Sequence, residues 1–219
     1  MKYHPDIELL LKYSSGQIEP SLAVAIAIHQ KDCEVCRLRI SELEAVGGDT
    51  LEDSAELNKI ESSVVMADFD KLLTDIETLP EDSLISDYDS LAVAQSDIPL
   101  VDQLNNGRFD EIKWQRISPK IWRASIAMND PSFEVELLKF SANTKIPKHT
   151  HQGKEFTVVL QGEFSDHQDK YSEGEFIVQD QSVEHQPMAG ANGCICLAVT
   201  DAPLKFTGTL GPILNWFNK

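Results

Sequence analysis

The sequence has few cations for its length. Of its 219 residues, 36 are acidic and 19 are Lys or Arg, which leaves a formal net charge of -17 at pH 7. A surface with this charge repels phosphates, so the composition argues against direct binding of nucleic acid. It is compatible with covering a basic surface on another protein that does bind nucleic acid.

Long hydrophobic runs are also absent. The apolar run at 22–28 is far shorter than the roughly 20 residues that a membrane-spanning helix needs. Asp6 and Glu8 stand where a secretory leader would be basic. We therefore expect a cytoplasmic protein without a membrane partner. In that reducing compartment, the four cysteines are expected to be metal ligands or free thiols rather than disulfides.

The chain contains no glycine-rich phosphate loop, no serine-nucleophile motif and no basic patch. It does contain a His-x3-Cys-x2-Cys run formed by His29, Cys33 and Cys36, with a further histidine, His4, near the N-terminus. Two thiolates and two imidazoles complete a tetrahedral zinc shell and leave no position open for a substrate. The pattern therefore predicts a structural zinc site in which His4, His29, Cys33 and Cys36 are the ligands.

The first part of the chain is predicted to be helical. Prolines suited to first helical positions and glycines suited to helix ends predict helices over 4–14, 20–30 and 33–46. Asp32 is the predicted N-cap of the third helix, and the pair Gly47-Gly48 is its predicted end.

A fourth helix is predicted over 50–77, because apolar residues recur there every three or four positions. Its other face is acidic, and residues 41–90 carry fifteen acids and two lysines, a net charge of -13. This acidity indicates either a plain solvated face or a docking helix for a basic partner. Proline, Ser and Asp then become frequent, which predicts a linker over 79–106.

After residue 106 the pattern changes to short strands separated by turns. Strands are predicted at 121–126, 133–140, 155–160, 174–178 and 195–199, with turns at 161–162 and 189–193. This spacing is typical of a small sandwich or barrel. We therefore predict an α+β protein of two domains, an all-α zinc-binding helical bundle at 1–78 and an all-β domain at 107–219.

A second group of metal-ligating residues lies in the predicted β domain. His149, His151 and Glu155 are closely spaced, and His185 follows thirty residues after Glu155. His149 and His151 point to the same side of a strand because they are two residues apart. Three imidazoles and a carboxylate suit Zn, Fe, Mn, Ni or Cu. The alternative is a set of polar residues at a barrel mouth with no metal.

Cys194 and Cys196 form a Cys-x-Cys pair on a predicted strand, with both side chains on one face. A buried pair of free thiols is the favoured interpretation, and a redox pair is the alternative. His167 lies in a polar stretch and is predicted to be an exposed loop residue.

The run His149-x-His151-x3-Glu155-x6-Gly162 with His185 downstream resembles the cupin family, which forms a double-sheet β-barrel with a metal in its mouth. The usual Pro-x-Gly before the last histidine is missing, so His185 is assigned by its distance alone. The N-terminal cluster resembles the zinc-binding anti-sigma domain. In this order, and over nearly the whole chain, the two motifs resemble the ChrR-type zinc anti-sigma factors.

That resemblance implies an anti-sigma factor that sequesters an extracytoplasmic-function-type RNA polymerase sigma factor. The cupin domain would hold zinc or another divalent transition metal, sense a singlet-oxygen-like oxidant or a small molecule, and permit release. Two alternatives are a metal-dependent cupin enzyme, such as a dioxygenase or isomerase, with an accessory helical domain, and a sensor that binds a ligand without chemistry.

Overall fold

A computed structural model describes residues 1–57, 71, 74, 101, 103–104 and 106–208. Within these residues, three named helices are followed by ten strands, which confirms the predicted α+β class. The helices are α1 (Ile7–Ser14), α2 (Pro20–Asp32) and α3 (Glu34–Leu57). The strands are β1 (Gln115–Ser118), β2 (Ile121–Ile126), β3 (Glu134–Phe140), β4 (His149–His151), β5 (Glu155–Ser165), β6 (Lys170–Ser172), β7 (Phe176–Gln179), β8 (Glu184–His185), β9 (Met188–Thr200) and β10 (Leu204–Phe206).

The helix boundaries differ from the prediction at the starts of α1 and α3. Helix α1 begins at Ile7 because Asp6 is its N-cap and accepts a hydrogen bond from the Leu9 N–H at 2.8 Å. Asp32, predicted to cap the third helix, is instead the last residue of α2. Cys33 follows it with extended backbone, so the chain bends at this residue before α3 begins.

Gly47-Gly48 does not end the third helix, and this prediction was wrong. Helix α3 continues through both glycines to Leu57. A glycine within a helix costs about 1 kcal/mol relative to alanine, and it ends a helix when it adopts the left-handed backbone conformation. Neither glycine does so. Most of the predicted helix over 50–77 lies outside the described residues.

The strands form two antiparallel sheets. The larger sheet has the order β1-β2-β3-β9-β5-β6, with β7 also paired to β5, and the smaller sheet has the order β10-β4-β8. This is the double-sheet barrel expected of the β domain. The small sheet matters most for function, because β4 carries His149 and His151 and β8 ends on His185.

Two predicted turns are absent because their glycines occupy strands. Residues 161–162 lie within β5 and residues 189–193 lie within β9. The pairing of these strands shifts register on both sides of Gly162. Gly162 and Gly193 have φ of 76° and 82°, and a Cβ on Gly162 would lie 2.4 Å from the Gly193 carbonyl oxygen. These glycines therefore permit a bulge and a close strand approach.

Helix α2 packs directly on the barrel. Helix α2 contacts β5 and β9, and its buried residues join those of the sheet in one continuous apolar cluster. Members of the cluster from both parts include Leu22, Ile26, Ile28, Phe156, Phe176 and Leu197. Burial of these side chains, at about 25 cal/mol per Å² of apolar surface, stabilises the contact between helices and barrel.

The predicted division into 1–78, 79–106 and 107–219 stays a prediction, because much of 58–105 lies outside the described residues.

Of the helices in the described part of the chain, none combines the length and apolar character needed to cross a membrane. The fold brings together two clusters of metal-ligating side chains. One cluster, of histidines and cysteines, lies between the helices, and the other, of histidines, lies inside the barrel.

Candidate metal centres

The N-terminal cluster gathers all four predicted zinc ligands. His4 precedes α1, His29 lies in the last turn of α2, Cys33 lies at the bend, and Cys36 lies in the first turn of α3. Their ligand atoms all lie within 4.8 Å of one another. The bend between α2 and α3, rather than one continuous helix face, brings the two sulfurs together.

The distances in this cluster suit zinc. His4 Nδ1 lies 3.2 Å from Cys33 Sγ and 3.5 Å from Cys36 Sγ, and His29 Nε2 lies 3.3 Å from Cys36 Sγ. A tetrahedral zinc ion places its sulfur and nitrogen ligands about 3.5 Å apart. The donor set and its spacing therefore fit a closed, structural zinc site.

His29 is oriented for metal binding by the barrel. The side chain is fully buried, and its Nδ1 lies 2.7 Å from the Gly174 carbonyl oxygen. A carbonyl can only accept, so Nδ1 carries the proton and Nε2 keeps its lone pair for a metal. Burial also lowers the pKa of His29, which favours the neutral, ligating form.

The thiols explain why this cluster needs a cation. Burial, followed by the neighbouring Cys33, raises the pKa of Cys36 to about 12. A buried thiol with such a pKa stays protonated at neutral pH, and only a bound cation makes the thiolate favourable. The chemistry of the site therefore favours a metal ion over a reactive cysteine.

The barrel cluster gathers three of the four predicted ligands. Pairing of β4 with β8 sets His149 opposite His185. His185 Nε2 lies 3.0 Å from His149 Nε2 and 3.3 Å from His151 Nε2. All three side chains are buried. Three imidazole nitrogens at this spacing can share one divalent transition metal.

Glu155 lies beside this triad but outside the group of ligand atoms within 4.8 Å of one another. Its Oε2 is 3.5 Å from His151 Nδ1, and its Oε1 accepts a hydrogen bond from Thr157 Oγ1 at 2.8 Å. Burial raises the pKa of the Glu155 carboxyl, so a nearby cation would favour its ionised form. Its role as a fourth ligand stays a prediction.

Two outer partners orient the triad, and neither was predicted from the sequence. His149 Nδ1 lies 2.8 Å from the Pro147 carbonyl oxygen, and His185 Nδ1 lies 2.8 Å from Asp166 Oδ2. Each contact leaves Nε2 free for a metal, which is the usual arrangement of histidine ligands. Asp166 is 19 residues from His185, and no local pattern connects them. His167 beside it is exposed, as predicted.

A cavity of about 70 Å³ opens beside the triad. Its walls include His149, Glu155, Gln179, His185 and Cys196, and apolar side chains such as Phe140, Ile146, Phe164 and Ile177. This volume accommodates a few water-sized molecules. A small ligand can therefore reach the histidines.

Cys194 and Cys196 are buried free thiols with their sulfurs 3.2 Å apart. Contact with the Cys194 sulfur, followed by burial, raises the pKa of Cys196 well above its ordinary value. Since the thiolate is the reactive form, this environment disfavours the redox interpretation. It agrees with a buried pair of free thiols.

The histidine triad makes the metal-free protein sensitive to acid. Burial lowers the pKa of His185 to about 4, whereas an unfolded histidine titrates near 6.5. The folded state therefore binds fewer protons, and stability present above pH 6.5 is lost as the pH falls toward 4. We expect the metal-free chain to lose about 2 kcal/mol of unfolding free energy between pH 7.5 and 5 from His185 alone.

Urea unfolding of chelator-treated protein at these two pH values measures the loss. His185→Gln should reduce the pH dependence, and His167→Gln, at an exposed neighbour, should leave it unchanged. A wild-type unfolding free energy that does not change with pH would contradict this prediction.

Comparison with known proteins identifies the family of the chain. Residues 103–204 match the family described as the ChrR cupin-like domain. Anti-sigma-E factor ChrR of Cereibacter sphaeroides is 30% identical over 220 residues, covering 99% of this chain and 98% of the relative. The crystal structure of Rhodobacter sphaeroides SigE in complex with the anti-sigma ChrR contains a chain 28% identical to this one. That match has a TM-score of 0.69 and covers 91% of this chain and 99% of that chain. The chain belongs to the family of ChrR-type anti-sigma factors.

Proposed function

We propose that this protein is an anti-sigma factor whose N-terminal helices bind an extracytoplasmic-function-type sigma factor. Bound in this way, the sigma factor could not reach core RNA polymerase or promoter DNA. The observation that carries the proposal is the full-length relationship to the anti-sigma ChrR, together with a zinc-type cluster between the helices. RNA polymerase works in the cytoplasm, and we propose that this chain acts there.

The metal content is the second part of the proposal. His4, His29, Cys33 and Cys36 would hold zinc, and His149, His151 and His185, with Glu155 as a fourth ligand, would hold zinc or another divalent transition metal. The donor atoms support this assignment, because thiolate and imidazole suit zinc, and imidazole also suits other transition metals. The full-length relationship to an anti-sigma factor supports a regulatory role for the barrel rather than enzymatic turnover.

Exposed apolar side chains on two helices suit a protein partner. Helix α1 exposes Ile7 and Leu11, and α3 exposes Val35, Leu38 and Val46. The two helices pack against each other, so these residues belong to neighbouring surfaces. These apolar anchors, on helices that also carry exposed acids such as Glu8 and Glu42, would complement a sigma factor with a basic surface.

Binding to a sigma factor is the direct test of this function. The chain should co-purify with an extracytoplasmic-function-type sigma factor of its host and inhibit transcription by the matching holoenzyme. Leu38→Asp should weaken binding about ten-fold or more, because it places a charge among buried interface anchors. Calorimetric titration measures the dissociation constant.

A matched control exists on the barrel. Ile117 is 54% exposed and Leu38 is 59% exposed, so Ile117→Asp makes the same change at a site away from the helices. It should leave sigma binding unchanged. Equal weakening by both substitutions, or failure to bind any host sigma factor, would refute the proposed interaction.

The barrel is proposed to sense an oxidative, singlet-oxygen-like signal and to permit release of the sigma factor. Support comes from the buried histidine triad and the small cavity beside it, which can admit a small oxidant or ligand. Exposure of the purified complex to photosensitised singlet oxygen should free the sigma factor, as followed by size-exclusion chromatography. A complex that stays intact would exclude this trigger.

A further inference from the structure

The first residues of the chain are fastened to the barrel. The Tyr3 hydroxyl and the Lys2 ammonium both donate hydrogen bonds to the Asp169 carboxylate. The Phe176 N–H donates to the Tyr3 carbonyl oxygen at 3.2 Å, and the Lys2 N–H donates to Glu175 Oε1 at 2.8 Å. These contacts fix the backbone immediately before His4.

The N-terminal metal cluster is therefore held by the barrel at two of its ligands. Tyr3 is directly followed by His4 in the chain, and the His29 ring is bonded to the Gly174 carbonyl oxygen. The His29 ring also packs edge-on against Phe176, with ring centroids 5.9 Å apart. Both attachments end on the barrel segment 169–176.

The same barrel segment begins at the other metal cluster. Asp166 Oδ2 contacts His185 Nδ1, while Asp166 Oδ1 accepts hydrogen bonds from the Gln168 and Asp169 N–H groups at 2.8 and 3.2 Å. The Asp166 side chain is fully buried. One carboxylate therefore joins a histidine of the barrel cluster to the turn that carries Asp169.

We propose that residues 166–176, here named the relay segment, couple the two metal sites. A cation on His185 Nε2 polarises the imidazole, so its Nδ1–H becomes a stronger donor to Asp166. When Asp166 is held firmly, it fixes the turn that contains Gln168 and Asp169. The Asp169 carboxylate is then positioned to accept hydrogen bonds from Tyr3 and Lys2. Binding of a cation in the barrel therefore strengthens cation binding between the helices, and by linkage the reverse is equally true.

This inference rests on the proposed metal occupancy of both sites and not on sigma binding. It is therefore tested on the full chain alone. Cobalt(II) serves as the probe, because cobalt bound to thiolates gives a charge-transfer absorption that reports the Cys33–Cys36 site and not the histidine triad. Native mass spectrometry counts the cations per chain.

The measurement is the cobalt affinity of the thiolate site, titrated against a competing chelator, with the barrel site intact and with it disabled by His149→Ala. We expect His149→Ala to weaken the thiolate site about five-fold or more in the otherwise wild-type chain. In an Asp169→Asn background, and in a Tyr3→Phe background, the same substitution should change the affinity by less than about two-fold, because the relay is already broken.

Glu163→Gln is the matched control. Glu163 forms an exposed ion pair with Lys170, so this substitution removes one charge beside the relay segment without touching residues 2–4. The five-fold effect of His149→Ala should persist in that background. A second readout is amide hydrogen exchange. The peptide containing residues 1–14 should exchange faster in His149→Ala than in the wild type, because the variant binds the barrel cation more weakly.

Two results would overturn the coupling. One is a thiolate site whose cobalt affinity is the same with and without the barrel ligand His149. The other is an effect of His149→Ala that is equally large in the Asp169→Asn and Tyr3→Phe backgrounds. A wild-type chain that carries only one cation would refute the metal occupancy itself, whether or not sigma binding is observed.

Discussion

Cys36→Ser is expected to remove the cation from the N-terminal cluster and to reduce sigma-factor binding about 100-fold or more, because binding of a structural zinc ion contributes roughly 10 kcal/mol or more. The Cys36 sulfur is fully buried and lies within 3.5 Å of both His4 Nδ1 and His29 Nε2. Serine cannot replace a thiolate as a zinc ligand. The three helices would then lose the ion that connects them.

Elemental analysis of the purified variant should find one cation fewer per chain than in the wild type. Calorimetric titration should measure the loss of binding to the sigma factor. Cys194→Ser is the matched control, because Cys194 is also a buried free thiol but lies outside the N-terminal cluster and outside the walls of the barrel cavity. It should keep the cation count and the affinity. An undiminished cation count in Cys36→Ser would contradict the assignment of this ligand.

His149→Ala is expected to separate binding from release. The substitution removes one of three imidazoles from the barrel cluster, and loss of a ligand should lower the barrel's metal affinity about ten-fold or more. The sigma factor should still bind, because a structural zinc site whose affinity falls about five-fold stays filled and the exposed apolar residues of the helices are unchanged. The oxidant, however, should no longer free it, because the proposed sensing site is incomplete.

Size-exclusion chromatography of the complex before and after oxidant treatment measures this separation. His167→Ala should behave as the wild type does, because His167 is exposed and does not belong to the triad. Release of the sigma factor from the His149→Ala complex at the wild-type rate would show that the signal is sensed elsewhere.

The grouping of three of the four candidate zinc ligands could be predicted because they are close in the sequence, whereas His4 is distant from them. Cys33 and Cys36 are three residues apart and His29 is one helical turn earlier, so any helical path keeps them close. The predicted start of the third helix at residue 33 was nevertheless inaccurate, since Cys33 has extended backbone and α3 begins at Glu34. The candidate ligands lie on both sides of the bend at Cys33, and sequence spacing alone does not predict the bend.

The strands were predicted more accurately at their centres than at their ends. The strands predicted at 121–126 and 133–140 from short segments separated by turns coincide with β2 and β3 to within one residue. Turns were also predicted inside β5 and β9, since glycine is frequent both in turns and in bulges. Only the pairing of Gly162 with its neighbouring strand distinguishes the two uses.

The sequence by itself determined the class of the fold and the acidic character of the chain, and it indicated two groups of candidate metal ligands. The fold class and the charge depend on residue type and on patterns within short segments, which can be recognised without the tertiary structure. The tertiary structure alone decided three hydrogen-bonded pairs, which are Asp166 with His185, Gly174 with His29, and Asp169 with Tyr3. These contacts join residues 19, 145 and 166 positions apart. They exist because the helices and the barrel share one apolar core, and burial in that core brings together groups that no local pattern connects.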